Sequence, residues 1–232
     1  LRTAYNQGIN KIVNTIHLQH PKMEGKNTSF KYIENIKKEV LNRAKLEGID
    51  VEIVLAAEIY YLPNLCDLID NPLATINKYM LIEFPMIIIP PDFENTFFKL
   101  RLKGITPILA HPERYRSFQE DVGRLKKLID MGVVFQIDAG SLLGHFGKKT
   151  KNIAFRMLSE GYCHLIGSDA HNNAKRNFCL SDAYKVIDSD KHVSILKKNS
   201  ESLFLGCGEL QTVKLDRKQS FIKIIKDKIF NT

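Results

Sequence analysis

The chain repeatedly ends a short apolar, β-like run on a residue type that binds metals. Ile9–Thr15 leads to His17, Val51–Ala57 to Glu58, Tyr79–Ile82 to Glu83, Ile105–Ala110 to His111, and Cys163–Ser168 to Asp169 and His171. The ligand mix is imidazole and carboxylate, without cysteine. It suits manganese, iron or zinc in hydrolytic chemistry better than a thiolate-rich structural zinc site. Parallel strands that end on such residues converge them on one face, as in a β/α barrel.

The residues around these ends narrow the chemistry. In His111-Pro112-Glu113-Arg114 the imidazole can bind a metal, and the guanidinium three residues on can fork onto phosphate oxygens. In Ser168-Asp169-Ala170-His171 the two ligand types are two apart, and an extended chain sends such residues to the same side. Arg176 follows in the same loop as a second phosphate anchor, or as an ordinary surface arginine. Glu58 and Glu83 lie against apolar runs, where a carboxylate is costly unless paired or metal-bound; the other reading is an edge strand with the side chain turned outward. His17 is nearer its strand end than His20. Asp138 also ends a run, Val133–Ile137, or caps the turn at Gly140-Ser141. A strand-end histidine such as His111 can equally be a hydrogen-bonded structural residue.

Other phosphoester chemistries fail on spacing. A cysteine phosphatase needs an arginine six residues past its thiol; here those positions are Pro72, Asp169, Lys185 and Val213. No G-x-S-x-G elbow is present. Gly144–Thr150 imitates a P-loop, but Leu142 and Lys149 break the required pattern, so it reads as a loop entering a helix. A phosphoesterase of this sequence therefore needs a metal-activated water.

The elements that would carry these residues alternate. After the helix end Leu1–Gly8 comes the strand Ile9–Thr15, then helix Tyr32–Leu46, strand Val51–Ala57, a short segment near Leu65–Ile69 and strand Tyr79–Phe84. Helix Phe93–Leu102, strand Ile105–Ala110, helix Val122–Met131, strand Val133–Ile137, helix Ile153–Leu158 and strand Cys163–Gly167 follow, and the region from Leu180 is largely helical. Short, continuously apolar strands between helices predict a parallel sheet buried on both faces. Gly8, Gly48, Gly104, Gly132 and Gly161 sit where helix C-caps are needed.

At 232 residues, 44% hydrophobic and 26% charged, the chain reads as one globular domain with no membrane span and no secretory signal. Cys66, Cys163, Cys179 and Cys207 are scattered, which fits a reducing cytoplasm; Cys163 reads as a small core residue. The formal charge of +8 is spread over amphipathic helices and a basic, helical tail at about 214–232. It lacks the aromatic interleaving of a nucleic-acid module. Asn27-Thr28-Ser29 matches a glycosylation sequon by chance. A homo-oligomer stays open.

Together, Thr15-x-His17, Ala57-Glu58-Ile59, Leu81-Ile82-Glu83-Phe84-Pro85, Ala110-His111-Pro112-Glu113-Arg114, Ala139-Gly140-Ser141-Leu142-x-Gly144-x-Phe146-Gly147 and Gly167-Ser168-Asp169-Ala170-His171 resemble the PHP (polymerase and histidinol phosphatase) superfamily. Within it they resemble the bacterial capsular-polysaccharide tyrosine-protein phosphatases of the CpsB/CapC type. The resemblance runs from Leu1 to about Ile187. It implies a distorted (β/α)7 barrel holding two or three metal ions, commonly manganese. It implies metal-ligand roles for His17, Glu58, Glu83, His111, Asp169 and His171, and phosphate contacts for Arg114 and Arg176. It further implies hydrolysis of phosphotyrosine on the tail of a capsule-biosynthesis tyrosine kinase, in the cytoplasm. The family's opening strand with His-x-His is absent, and Thr15-Ile16-His17 stands for its Thr-Pro-His. The expectation is thus a chain without its first β-strand and with reduced activity. A PHP-type esterase for a small metabolite such as histidinol phosphate, and a non-catalytic phosphopeptide-binding protein, are the other readings.

Overall fold

The structure, a computed structural model, describes residues 1–22 and 29–215. Its centre is a parallel sheet of six strands in sequential order: β1 (Lys11–Leu18), β2 (Glu52–Tyr60), β3 (Tyr79–Glu83), β4 (Thr106–Ala110), β5 (Val134–Asp138) and β6 (Leu165–Gly167). Before the first strand runs α1 (Arg2–Asn6), and between and after the strands run α2 (Phe30–Leu46), α3 (Phe93–Leu102), α4 (Arg116–Glu120), α5 (Arg124–Asp130), α6 (Ala139–Leu143), α7 (Gly147–Glu160), α8 (Leu180–Ile187) and α9 (Asp190–Leu205). A 3₁₀ turn at Leu65–Leu68 fills the short segment expected there.

The anticipated helix stops hold. Gly161 ends α7 at φ 77°; its amide returns to the Leu158 carbonyl and the Tyr162 amide to the Met157 carbonyl. This double return is open chiefly to glycine, because a Cβ disfavours the left-handed backbone. Gly8, Gly48, Gly104 and Gly132 also have positive φ.

Alternation along the strands explains where the candidate residues point. Leu55, Ala57, Ile59, Met80, Ile82, Leu109, Phe135, Ile137 and Ile166 face one side, where Phe97 and Leu100 of α3, Leu125 of α5, Met157 of α7 and Ile187 of α8 pack on them. Ala56, Leu81, Ile108, Ala110, Val134 and Leu165 face the other side. The residues of the first and last strands, Lys11–His17 and Leu165–Gly167, line the same cavity of about 900 Å³, so the sheet is curled and this second face is concave. Period-two geometry then puts His17, Glu58, Glu83 and Asp138 on the concave face at its C-terminal end. The candidate residues at the strand exits thus share one mouth because the strands are parallel.

The strand limits differ from the expectation. His17 and Glu58 lie inside β1 and β2 rather than after them, and their Cα positions pair in register. Their outward neighbours Ile16, Leu18 and Ile59 still pack on the helical side, so a polar side chain on the concave face does not end the ladder. α7 begins at Gly147, six residues before the expected start, and α5 spans only Arg124–Asp130, with the short α4 ahead of it. After α9 the chain is irregular up to Leu215, whose amide bonds the Leu158 carbonyl. The basic tail beyond Leu215 and the sequon at Asn27 lie outside the described residues.

Candidate metal centre and phosphate site

Four of the expected ligands meet in one buried knot. Glu58, Glu83 and His111 retain 5, 9 and 4% of their accessible surface. His111 Nε2 lies 3.1 Å from Glu58 Oε1 and 3.5 Å from Glu83 Oε1, while His17 Nδ1 lies 3.8 Å from Glu83 Oε2. Ligand atoms of His17, Glu58 and Glu83 all fall within 4.8 Å of one another. The outward-facing reading of the two glutamates is therefore excluded. His17 Nδ1, Glu83 Oε2 and His111 Nδ1 are buried without a hydrogen-bond partner. Buried polar atoms left unbonded are rare, and a cluster of them on imidazoles and carboxylates fits a divalent ion.

The electrostatics agree. Burial drives the Glu58 carboxyl up, but its hydrogen bond and attraction to His111 outweigh that and hold it below the ordinary value. Burial lowers the His111 imidazole, and its hydrogen bond and attraction to Glu58 more than restore it. Glu83 is raised, by burial and then by the charge of Glu58. His17 is lowered, chiefly by burial. Carboxylates crowded in a low-dielectric pocket repel, and a cation between them removes the strain.

The other half of the site gathers on Asp169. Arg114 Nη1 donates to Asp169 Oδ2 at 3.1 Å and lies 3.4 Å from Asp138 Oδ2; Arg176 Nη2 donates to the same Asp169 oxygen. Both expected phosphate anchors thus reach one point beside the knot. Asp169 and His171 do not share a side through extended backbone, as their spacing suggested. β6 stops at Gly167, Asp169 adopts φ 44°, and His171 Nδ1 turns to the Asp169 carbonyl at 2.9 Å. The His171 ring nonetheless lies 5.8 Å from that of His17, so the loop closes on the knot. His111 is also left-handed, at φ 34°. Such backbone in non-glycine residues is uncommon and marks a position held by its surroundings.

The family described as capsular polysaccharide synthesis, CpsB/CapC, matches residues 1–205. The chain belongs to the CpsB/CapC family. It is 33% identical over 192 residues to the tyrosine-protein phosphatase YwqE of Bacillus subtilis, covering 82% of this chain and 74% of that one. It is 33% identical over 199 residues to the tyrosine-protein phosphatase CpsB of Streptococcus pneumoniae, covering 81% and 79%. A putative tyrosine-protein phosphatase CapC of Staphylococcus aureus is 31% identical over 187 residues, covering 79% and 72%. Crystal structures of YwqE and CpsB, described as metal-dependent tyrosine phosphatases, include a chain that superposes with a TM-score of 0.81 at 30% identity, over 92% of this chain and 89% of that one.

In this CpsB/CapC member three further residues complete the site. Asp138 is buried and does both things its sequence allowed: Oδ1 accepts the Gly140 amide at 2.7 Å as the cap of α6, and Oδ2 faces Arg114. Burial and then the charges of Asp169 and Glu113 raise it to about 7. Glu113, fully buried, accepts the Asp138 amide at 3.0 Å and ties the exit of β4 to that of β5. Phe146 places its ring 4.4 Å from the Arg114 guanidinium, a cation–π contact that orients it. Both stood inside quoted motifs without a role. A charge next to Pro112 at a strand exit was the available signal for Glu113. His20 packs its ring against His17 and Tyr60 at the rim.

The cysteines stay outside this chemistry. Cys163 is buried, its thiol donates to the Leu165 carbonyl, and burial pushes its pKa far up. Burial also raises Cys179, to about 11. Cys163→Ser is expected to leave turnover within about twofold, since an inert buried thiol supplies no thiolate. Steady-state kinetics check this; a folded but inactive variant would instead point to a thiol nucleophile.

Proposed function

We propose that the protein is a metal-dependent protein-tyrosine phosphatase acting on the phosphotyrosine tail of a bacterial capsule or exopolysaccharide tyrosine kinase, in the cytoplasm. The observation that carries this reading is the meeting of unbonded buried ligand atoms on His17, Glu83 and His111 with two arginines converging beside them. The curled sheet is read as the greater part of a distorted (β/α)7 barrel, in a single domain over 1–232. No helix among the described residues is long and apolar enough to cross a membrane.

In this reading His17, Glu58, Glu83, His111, Asp169 and His171 hold two or three metal ions, manganese first and iron or zinc as alternatives. Bound metal supplies Lewis acidity, which makes hydroxide available from water near neutral pH. Arg114 and Arg176 bind the phosphoryl oxygens and neutralise charge that grows toward the transition state. Their paired hold on Asp169 keeps them extended over the site before substrate arrives, which lowers the reorganisation on binding. The leaving phenolate is a weak base, so its protonation is not demanding. His171, with its side chain 36% exposed, can give it a proton when not committed to metal.

The test is a substrate profile on metal-loaded protein. Phosphotyrosine peptides should be hydrolysed in clear preference to phosphoserine peptides and histidinol phosphate. Preference for histidinol phosphate would reassign the protein to small-metabolite hydrolysis. Tight phosphopeptide binding without turnover would make it a binding protein.

A further inference from the structure

The exit of β3 carries a feature that phosphoryl transfer does not use. Directly after Glu83 the chain reads Phe84-Pro85-Met86-Ile87-Ile88-Ile89-Pro90-Pro91. Met86, Ile87 and Ile88 are 40, 73 and 65% exposed. Both ends of this loop are fastened. Phe84 is buried and its amide donates to the Tyr115 hydroxyl at 2.9 Å, and Ile89 packs against the core. The Met86 carbonyl accepts the amide of Arg116, two residues past the phosphate anchor Arg114. Prolines on both sides fix φ and remove donors, and the loop leaves β3 at the C-terminal end that carries Glu83, with its three apolar side chains exposed. Leu62, one residue beyond the Tyr61 amide that bonds the Glu83 carbonyl, is 41% exposed at the exit of the neighbouring β2.

A contiguous exposed apolar run at a site's rim marks something that covers it. The substrate itself fixes what that is. A phosphotyrosine whose phosphoryl group reaches Arg114 and Arg176 leaves its peptide backbone on the C-terminal face of the sheet, where the β3 exit adjoins that of β4. The floor of the site is charged; this rim is apolar. We infer that Met86, Ile87 and Ile88 form a docking ledge for apolar or aromatic residues that flank the phosphotyrosine of a polypeptide substrate. The inference rests on the phosphotyrosine-phosphatase reading and adds a substrate-sequence preference to it. Burying such side chains against the ledge strengthens binding of flanked peptides and leaves the chemistry at phosphorus unchanged.

The experiment compares wild type with an Ile87→Ser/Ile88→Ser double variant, both metal-loaded, on three substrates. These are a phosphotyrosine peptide flanked by leucine and tyrosine, the same peptide flanked by glycine and serine, and para-nitrophenyl phosphate. Wild type should favour the apolar-flanked peptide by roughly tenfold in kcat/KM, carried by KM, and the variant should lose that preference while handling the other two within about twofold. Equal use of both peptides by wild type, a preference that survives in the variant, or an equal fall on all three substrates would each overturn the ledge. Wild type that hydrolyses para-nitrophenyl phosphate but neither peptide would overturn the protein-phosphatase reading and the ledge with it. The same pair is sedimented with phosphatidylglycerol vesicles. Vesicle binding that the variant loses, with peptide preference intact, would assign the loop to a bilayer and overturn the proposal.

Discussion

His111→Ala and Asp169→Ala are each expected to lower phosphotyrosine hydrolysis by about 10³-fold or more, beyond the 10–100-fold typical of residues one step outside a metal's ligands. His111 is the hub of the knot, within 3.5 Å of both buried glutamates. In the proposed reading, removing its ring takes away a ligand together with the hydrogen bond that holds the buried Glu58 carboxylate, which destabilises the metal-free protein as well. Asp169 acts on the other side: without it, Arg114 and Arg176 lose the carboxylate that gathers them. Chelation of the wild type should abolish turnover, and adding Mn²⁺ back should restore it. A bound ion also stabilises the fold it binds, by about 2.7 kcal/mol at a hundred times its Kd. For a domain of this size that is roughly 5–10 °C in the unfolding midpoint. Elemental analysis, thermal unfolding with and without Mn²⁺, and kinetics read all three arms. Undiminished turnover in protein shown to contain no metal would sink the mechanism.

Arg114→Ala should reduce kcat/KM by roughly 10²-fold or more while metal content stays at the wild-type level, the range found for loss of one preorganised donor to a transition-state oxyanion. The guanidinium is held from three directions, by Asp138, Asp169 and the Phe146 ring. Such a fork arrives at phosphate already oriented. Arg114→Lys keeps the charge but loses the planar fork and the ring contact, so it should recover only part of the rate. Loss of the arginine also leaves Asp138 and Asp169 facing each other without the cation that lowers Asp138. A variant that loses bound metal in proportion to its rate would show that Arg114 organises the centre rather than contacting phosphate. The split between kcat and KM on a phosphotyrosine peptide, with metal quantified in parallel, distinguishes these outcomes.

Much of this architecture is legible in the chain because the signals are local. Apolar runs of strand length, helices with polar faces and glycines at their ends are each decided within a few residues, and all six strands lie where those signals put them. That the imidazoles and carboxylates at the ends of those runs would meet was equally legible, since parallel strands must deliver their exits to one mouth. Boundaries were less so. A polar residue reads as the end of an apolar run, yet His17 and Glu58 continue their strands because only their concave-face neighbours change. The Asp169–His171 spacing misled for the converse reason: it assumed extended backbone, and the chain turns left-handed there.

The sequence by itself therefore determined the β/α alternation, the glycine stops, the lack of a cysteine-phosphatase spacing and the candidate residues for a metal. Tertiary structure alone decided how those residues meet. The contact between His111 and Glu58 spans 53 positions and exists because the curl of the sheet brings the concave faces of β2, β3 and β4 together, with Glu58 level with Leu81, one concave-face position below Glu83. The division of the site into a knot on Glu58, Glu83 and His111 and an arginine pair on Asp169, the bracing of that pair by Asp138 and Phe146, and the exposure of Met86, Ile87 and Ile88 follow from the same cause. Periodicity along a chain states which face a side chain takes; which partner it finds there depends on strands brought together from distant parts of the chain.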